Sequence, residues 1–350
     1  QYNIYADGVY VGDSPLGPFT LAKSNPFSYK PGGFIPGAGH GSTMEDPEGC
    51  LWHTSTMRIS VNHDFERRVG IWPAGLDEDG ELFCNQRYGD WPMAVEDARK
   101  DSWCSPSWYL LSYKKAMSAS SFEEGKEPEK AADENVQTWW RPLSAEREEW
   151  LCMDLGMISE VHAVQINFAD DRIEIPVPGK IGGSATQARY IEERDLATRW
   201  ILEGSKDGAE YEVLVDKSEA ETDLTHDLVV WEEGKKLRYL RLTGMEVPYG
   251  QRPCISGLRV FGMQEKEKPG VPEFSAQREG DLDMQVVIRG TGALGYNILW
   301  GEEPGKLYHS CMTFEENQRI GALVKGRDYW IRVDAFNEAG ITEGTVKRLG

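Results

Sequence analysis

Short runs in which apolar and polar residues alternate recur along the whole chain, and this pattern most limits what the chain can fold into. Alternation with a period of two directs one side of each run to a core and the other to solvent, as in a β-strand. Glycine, proline, asparagine and aspartate separate the runs. Only residues 123–135 and 190–197 have a helix-forming composition. The sequence therefore predicts an all-β protein, with strands at residues 10–12, 68–72, 151–155, 161–168, 199–203, 238–242 and 329–335.

The charge of the chain excludes several classes of partner. With 38 Lys and Arg against 58 Asp and Glu, the formal net charge is −20, so phosphate backbones and anionic lipid would be repelled. We therefore expect no nucleic-acid partner, and because no run of 18 apolar residues occurs, no membrane span. The charge does not exclude neutral glycans as partners. The 12 Trp and 14 Tyr residues offer rings on which sugars stack, although β-sandwiches also use them in cores.

Cysteine usage points to neither a zinc site nor a disulfide framework. The six cysteines are far apart, unlike those of a small disulfide scaffold, and they form no C-x-x-C pair of the kind that binds zinc. We expect most of them to be small buried apolar residues.

Two composition changes divide the chain into three segments. A polar stretch ends at residues 105–107 (Ser-Pro-Ser), and residues 265–270 (Glu-Lys-Glu-Lys-Pro-Gly) form a charged linker that cannot continue a strand. The predicted domains are residues 1–105, 106–264 and 269–350.

The last segment has the strand spacing of a small β-sandwich. Leu323 lies six residues before Tyr329, which opens a V-x-A-x-N strand at residues 333–337. This pattern resembles the fibronectin type III module. The resemblance implies that the Tyr329 hydroxyl bonds to backbone a few residues upstream, as in a tyrosine corner, and that the segment serves as a spacer.

The middle segment carries five motifs in a characteristic order. They are an A-D-E-N-V-Q-T-W-W stretch at 132–140, E-W-L-C-M-D-L-G at 149–156, a strand with S-K-D-G at 200–208, R-Y-L-R-L at 238–242 and G-L-R-V-F-G at 257–262. Together they resemble the discoidin (coagulation factor 5/8 type C) module, which is shared with family 32 carbohydrate-binding modules. The resemblance implies a jelly-roll β-sandwich.

That resemblance also implies two kinds of site. Its calcium loop, which uses oxygen ligands, matches Asp133, Asn135 and Thr138; the family adds a Glu from the final strand, where this chain has Gly257. Calcium is thus a possible cofactor, and no organic cofactor is expected. Residues 169–198 form a long excursion between strands, which is typical of functional or mobile loops. The candidate sugar contacts, for each of which surface packing is the alternative, are Trp140, Arg141, Tyr190, Tyr249 and Arg252.

The first segment contains an S-P-L-G-P-F turn at 14–19, a G-A-G-H-G-S stretch at 37–42 and a D-E-D-G turn at 77–80. It resembles the last two blades of the five-bladed propeller of family 43 glycoside hydrolases, up to about residue 91. The resemblance implies that His40 lies near the propeller axis, where it organises a water-bound ion. It also makes Arg67 or Arg68 a weaker candidate for substrate contact.

The catalytic carboxylates of that family lie on the first three blades, upstream of the matching segment, so we expect no catalytic residue in this chain. The chain opens at Gln1, without Met and within a strand-like run, as in a truncated or processed product. Turn and surface roles are predicted for the acidic residues that are present, namely Asp46, Glu48, Glu66, Asp77 and Asp79.

Two hypotheses follow. In the first, the chain is the C-terminal portion of a secreted, periplasmic or cell-surface β-xylosidase or α-L-arabinofuranosidase that hydrolyses xylan- or arabinan-derived glycosides with inversion. Its partners would be plant-type polysaccharide and the missing N-terminal blades of the same protein. In the second, the chain is a non-catalytic glycan-binding or adhesion protein with a degenerate propeller remnant.

Overall fold

The computed structural model describes residues 5–58, 67–172, 195–290 and 292–350, with the backbone alone of residues 175–176 and 185–186. The predicted all-β class is confirmed: strands dominate the described residues. Two compact units are present. The first unit combines the described residues up to Arg58 with Arg67–Tyr109 and Lys266–Gly350, and the second unit contains those between Leu110 and Glu265. The first and last predicted segments therefore lie in one unit.

A four-stranded antiparallel meander dominates the N-terminal part of the first unit. Strands β5 to β8 pair in chain order, whereas β1 pairs with β4 and β2 with β3 in two-stranded sheets. A four-stranded up-and-down sheet is the form of one propeller blade; the described residues contain one such sheet here, where the resemblance implied two blades. The elements are β1 (Ala6–Asp7), β2 (Tyr10–Val11), β3 (Thr20–Leu21), β4 (Ser28–Tyr29), β5 (Gly39–Glu45), β6 (Leu51–Arg58), β7 (Arg67–Leu76), β8 (Leu82–Cys84) and the helix α1 (Val95–Lys100).

The acidic residues of this part occupy turns, as predicted. Oδ1 of Asp46 accepts the backbone N–H groups of Glu48 and Cys50 between β5 and β6. Between β7 and β8, Oδ1 of Asp77 accepts the backbone N–H groups of Asp79 and Glu81. Such side-chain-to-backbone bonds are what aspartate contributes to tight turns. The remaining acidic candidate, Glu66, lies outside the described residues.

The second unit is built on one curved sheet with strand order β15-β14-β16-β11-β17-β9, in which β10 also pairs with β11. Its two longest strands, β11 and β16, pair over most of their length with register shifts that bend them. The elements are β9 (Tyr109–Leu110), β10 (Ala116–Ala119), a 3₁₀-helix (Pro128–Ala131), β11 (Leu151–Phe168), β12 (Ile175–Pro176), β13 (Ala185–Thr186), β14 (Arg199–Ser205), β15 (Glu212–Asp216), β16 (His226–Glu246), a 3₁₀-helix (Pro248–Gly250) and β17 (Ile255–Met263).

Alternation along these strands fills the core of the second unit. Leu151, Met153 and Leu155 of β11 are fully buried, and they pack in one cluster with Trp140 and Trp200. Each such side chain contributes about 1.5 to 3 kcal/mol by leaving water. The two strands predicted at 151–155 and 161–168 are thus a single strand, bent at its middle.

The C-terminal part of the first unit is a β-sandwich of two sheets, ordered β18-β19-β22 and β21-β20-β23-β24, with β25 on β23. The predicted hydrogen bond of Tyr329 is confirmed: its hydroxyl accepts the backbone N–H of Val324 at 3.0 Å, and Leu323 is buried beside it. The strands are β18 (Glu273–Glu279), β19 (Asp283–Arg289), β20 (Gly295–Gly301), β21 (His309–Thr313), β22 (Asn317–Ile320), β23 (Trp330–Asn337), β24 (Gly340–Thr342) and β25 (Lys347–Arg348).

Aromatic side chains join the two parts of the first unit. Phe83 stacks on Tyr308 with ring centroids 4.8 Å apart, and Trp91 meets Phe336 edge-on at 5.1 Å. Tyr29 of β4 belongs to the buried core of the C-terminal sandwich. Aromatic pairs of this kind contribute about 0.5 to 1.5 kcal/mol beyond the area they bury. The last segment therefore packs on the first. The prediction that it serves as a spacer did not include this contact.

An ion-pair cluster adds to this contact. Nζ of Lys306 lies 2.8 Å from Oδ2 of Asp77 and also pairs with Asp79, while the Tyr308 hydroxyl donates to Oδ2 of Asp77 at 3.0 Å. Burial alone would raise the pKa of Asp77, but the hydrogen bonds from Lys306, Tyr308 and backbone N–H groups lower it to about 2.

We expect acid to weaken the first unit through Asp77. Because the folded pKa of about 2 is below the ordinary value of 3.8, the stabilisation is complete above that ordinary value and is lost as the pH falls towards 2. Asp77→Asn should therefore lower the melting temperature at pH 7 and flatten its decline between about pH 4 and pH 2. Circular dichroism melting across this range measures both effects. Asp13→Asn, at an exposed turn aspartate, is the control, and equal slopes for Asp77→Asn and wild type would contradict the assignment.

Candidate functional site

Seven charged and aromatic residues converge on one partly exposed site of the second unit. They come from loops that follow β10, precede and follow β11, and precede β17. We call them the Trp139 cluster, which consists of Glu123, Lys126, Trp139, Arg141, Asp171, Arg172 and Arg252.

The backbone at residues 139–140 decides which of two neighbouring tryptophans faces the core. Trp140 exchanges both backbone hydrogen bonds with Ile255, at 2.9 and 3.0 Å, and its side chain is fully buried, with Nε1 donating to the carbonyl of Ser121. Neighbouring residues of an extended chain point to opposite sides, and Trp139 is accordingly partly exposed. The predicted sugar contact Trp140 is therefore a core residue, because its ring has no exposed face.

Two charged residues fix the Trp139 indole. Its Nε1 donates to Oδ2 of Asp171 at 3.0 Å, and Nζ of Lys126 lies 3.1 Å from the ring centroid, which is a cation–π contact. Burial lowers the pKa of Lys126, partly offset by the charge of Asp171. The ring is thus held in place while part of it stays open to solvent.

Three guanidinium groups share the carboxylate of Glu123. Oε2 accepts from Nη1 of Arg141 at 2.7 Å and from Nη1 of Arg252 at 3.0 Å, and Oε1 pairs with Nη1 of Arg172 at 2.7 Å. Burial alone would raise the pKa of Glu123, but the three neighbouring cations lower it. The structure thus brings together two predicted residues, Arg141 and Arg252, on a carboxylate that the sequence did not single out.

Some buried polar atoms at this site have unused hydrogen-bonding capacity. Among the described residues none accepts a hydrogen bond from Nε of Arg141, whose closest carboxylate oxygen, Oδ2 of Asp171, is 3.7 Å away. Oε1 of the neighbouring Gln251 is likewise buried without a donor in the described part of the chain, although its Nε2 donates to Asp170. Unpaired buried groups are rare and often mark where water or a ligand binds.

The other predicted sugar contacts have different outcomes. Tyr249 lies in the second 3₁₀-helix with a left-handed φ of 65° and is partly exposed, and its role stays a prediction. Tyr190 lies outside the described residues. Sequence reasoning missed five members of the cluster, and only the alternation next to Trp140 could have indicated one of them, Trp139.

The predicted calcium loop is closed by its own hydrogen bonds. Oδ1 and Oδ2 of Asp133 accept the N–H of Asn135 and the hydroxyl of Thr138, at 2.9 and 2.6 Å. Burial raises the pKa of Asp133, which disfavours its charged form. The described residues contain no group of three or more His, Cys, Asp or Glu side chains that could hold a metal.

A buried ion pair occupies the centre of the same loop. Nε and Nη2 of Arg259 on β17 donate to the two carboxylate oxygens of Glu134, both at 2.8 Å, and Nη1 donates to Oε1 of Gln165. The side chains of Arg259 and Glu134 are 1% and 2% exposed. The carboxylate of Glu134 is thus already neutralised by Arg259, and both of its oxygens are engaged. The residues present therefore do not fit a calcium ion.

The candidates of the first segment lie on β5 and β7. His40 is exposed in a bulge of β5, with a left-handed φ of 57°. The glycines beside it permit close approach, since a Cβ at Gly39 would come within 2.6 Å of the Tyr5 ring. Arg67 and Arg68 begin β7. The ion-associated role of His40 and the substrate contacts of the two arginines stay predictions.

A second histidine of this sheet was not predicted. His53 is buried, with Nδ1 3.0 Å from the Thr43 hydroxyl and Nε2 3.3 Å from Oδ2 of Asp7. Burial lowers the pKa of His53, although the charge of Asp7 opposes this effect. His53 of β6 thus lies between Thr43 of β5 and Asp7 of β1.

Two cavities formed by described residues of the second unit, of about 350 and 360 Å³, share no residue with the Trp139 cluster. A cavity of about 350 Å³ is lined by Lys206, Asp207 and Tyr211 among others. The carboxylate of Asp207 already accepts backbone N–H groups of its own turn.

Comparison with known proteins gives distant structural likenesses. A scan against protein-family models and a search of curated proteins give no match. Within the described part of the chain no helix is long and apolar enough to cross a membrane.

Three solved structures illustrate the likenesses. Chitosan-binding module 1 of a chitosanase/glucanase from Paenibacillus sp. IK-5 is 17% identical, over 44% of this chain and 99% of that chain, with a TM-score of 0.33. A family 32 carbohydrate-binding module of C. perfringens NanJ, in complex with galactose, is 16% identical over 44% of this chain and 98% of that chain, with a TM-score of 0.32. A protein described as a glycoside hydrolase is 17% identical over 71% of this chain and 52% of that chain, with a TM-score of 0.33. At these TM-scores the likenesses assign no function.

Proposed function

We propose that the second unit binds plant-type polysaccharide through the Trp139 cluster. The observation that carries this proposal is the cluster itself: a partly exposed indole held beside three guanidinium groups that come from distant parts of the sequence.

The chemistry of the cluster suits a sugar. The apolar face of a pyranose or furanose ring stacks on an aromatic ring, while its hydroxyls need fixed hydrogen-bond partners. Each guanidinium presents five N–H donors in a rigid fork, and Glu123 engages one nitrogen of each. The acidic surface of the chain as a whole does not oppose a neutral ligand.

For the whole chain we propose the C-terminal portion of a secreted, inverting glycoside hydrolase of the β-xylosidase or α-L-arabinofuranosidase type. The four-stranded meander would be a propeller blade carrying His40, Arg67 and Arg68, and the C-terminal sandwich a type III-like module. Inversion requires two carboxyl groups about 6.5 to 9.5 Å apart, which the resemblance places on N-terminal blades. We therefore expect no turnover of aryl xylosides or arabinosides by this chain alone.

Calorimetric titration of the 350-residue chain with xylo- and arabino-oligosaccharides tests the binding proposal. We expect measurable heat at millimolar ligand, with equal affinity in EGTA and in calcium because the residues of the 133–138 loop do not fit that ion. The absence of heat with every oligosaccharide in both buffers would refute glycan binding, and hydrolysis by the chain alone would refute the assignment of the carboxylates.

A further inference from the structure

We propose that the Trp139 cluster selects acidic glycans, and specifically that the carboxylate of a uronic acid residue binds at Arg172 and Arg252. This inference rests on the proposed glycan binding and adds the charge class of the ligand. It is carried by the local charge, by the exposure of these two guanidinium groups and by their unused donors.

The charge at the cluster differs in sign from that of the whole chain. The chain has a formal net charge of −20, whereas this site gathers four basic residues against three acidic ones. The basic residues are Lys126, Arg141, Arg172 and Arg252, and the acidic residues are Glu123, Asp170 and Asp171. A neutral sugar gains no Coulombic attraction from a positive site on an acidic protein. An anionic sugar, which is repelled elsewhere on the surface, is attracted here.

The three arginines of the cluster differ in their exposure to solvent. The side chains of Arg172 and Arg252 are 57% and 34% exposed, whereas that of Arg141 is 9% exposed. Arg141 therefore anchors Glu123 from inside the unit, while the other two guanidinium groups border the solvent. Together they form the outer edge of the cluster.

Arg172 and Arg252 each use only part of their hydrogen-bonding capacity within the described residues. Arg172 uses Nη1 on Glu123, and its Nε lies 3.8 Å from Asp171, beyond hydrogen-bond distance. Arg252 uses Nη1 for both Glu123 and the carbonyl of Pro142. Among the described residues, these contacts leave other N–H groups of each fork for a ligand. A planar carboxylate accepts two parallel N–H bonds from such a fork, which is the strongest common pairing of an arginine.

The position of Trp139 places a sugar ring next to that carboxylate site. Its indole is tied to Asp171, and Asp171 also lies next to Arg172 in the chain. A ring stacked on the exposed part of the indole brings a substituent carboxylate to the two arginines. A uronate fits this arrangement better than a sulfate ester, because its two oxygens match the planar fork.

The test compares three ligands on the full chain: a xylotriose carrying one methylglucuronate, the same compound with its carboxyl reduced to the alcohol, and a sulfated xylo-oligosaccharide. In calorimetry at about 20 mM NaCl we expect the uronate to bind about tenfold more tightly than its reduced form, the effect of one charge-assisted hydrogen bond. Raising NaCl to about 200 mM should shrink this ratio, because salt screens exposed charges.

Arg172→Gln should bring the ratio of affinities close to one. The matched control is Arg238→Gln, because Arg238 is also partly exposed and paired with a carboxylate, that of Asp154 on β11, away from the cluster; this variant should keep the ratio. Equal affinity for the uronate and its reduced form in wild type would overturn the acidic selectivity and leave glycan binding standing. Tighter binding of the sulfated ligand would overturn the carboxylate assignment. Failure of all three ligands to bind would overturn both the inference and the proposed function.

Discussion

Replacing Arg259 by leucine is expected to lower the free energy of unfolding of the second unit by about 3 to 5 kcal/mol, the cost of breaking a buried ion pair on one side. The substitution leaves the carboxylate of Glu134, which is 2% exposed, without its bidentate partner. Gln165 loses its donor as well. Urea unfolding followed by tryptophan fluorescence measures the change.

Two further variants separate this effect from a general loss of arginine. Arg238→Leu removes a bidentate pair with Asp154 whose side chains are 37% and 26% exposed, and it should cost less than about 1 kcal/mol. The double variant Arg259→Leu with Glu134→Leu should recover most of the lost stability, because apolar residues replace a buried pair at little cost. If Arg259→Leu and Arg238→Leu lowered the free energy of unfolding equally, the buried pair would contribute no more to stability than the exposed one.

Trp139→Ala is expected to weaken glycan binding at least thirtyfold, since truncating a central aromatic residue of a binding site costs about 2 kcal/mol or more. The fold should be retained, because the ring is partly exposed whereas the neighbouring core position belongs to Trp140. Calorimetry with the tightest xylo-oligosaccharide gives the change in affinity, and the melting temperature reports on the fold.

Trp139→Phe keeps an aromatic ring but removes the Nε1 donor to Asp171, so it should bind with intermediate affinity. Trp330→Ala, which removes a partly buried tryptophan of β23 in the first unit, is the matched control and should bind as wild type does. A Trp139→Ala protein that binds with wild-type affinity would exclude the cluster as the glycan site.

Local patterns of the sequence predicted those features that depend on local contacts. Leu323 and Tyr329 are six residues apart, and this spacing predicted the hydrogen bond of the Tyr329 hydroxyl. Its partner is the backbone of Val324, five residues upstream. The strand predicted at 238–242 is the apolar end of β16, which in fact runs from His226 to Glu246. The rest was not recognised because Gly234, with a left-handed φ of 70°, is typical of a turn, yet it lies within the continuous strand.

The site was harder to predict because its contacts are distant in sequence. Arg141 and Arg252 were both candidates, but nothing in the sequence shows that they share the carboxylate of Glu123; the path of β11 and β17 decides that. The sequence does not distinguish Trp139 from Trp140 as a sugar contact, because the two neighbours have the same side chain. Only the backbone pairing with Ile255 determines which of the two is buried.

The first unit is built from two parts that are separated in the chain, and this order has a consequence for synthesis on the ribosome. Its two parts are separated in the chain by the second unit, so Phe83 and Trp91 emerge long before Tyr308 and Phe336, the rings that cover them. Until translation reaches the C-terminal strands, each of these rings contacts only aromatic partners of the N-terminal part, and the apolar surface left uncovered favours aggregation. The described residues of the second unit all precede those strands in the chain, so they are synthesised first.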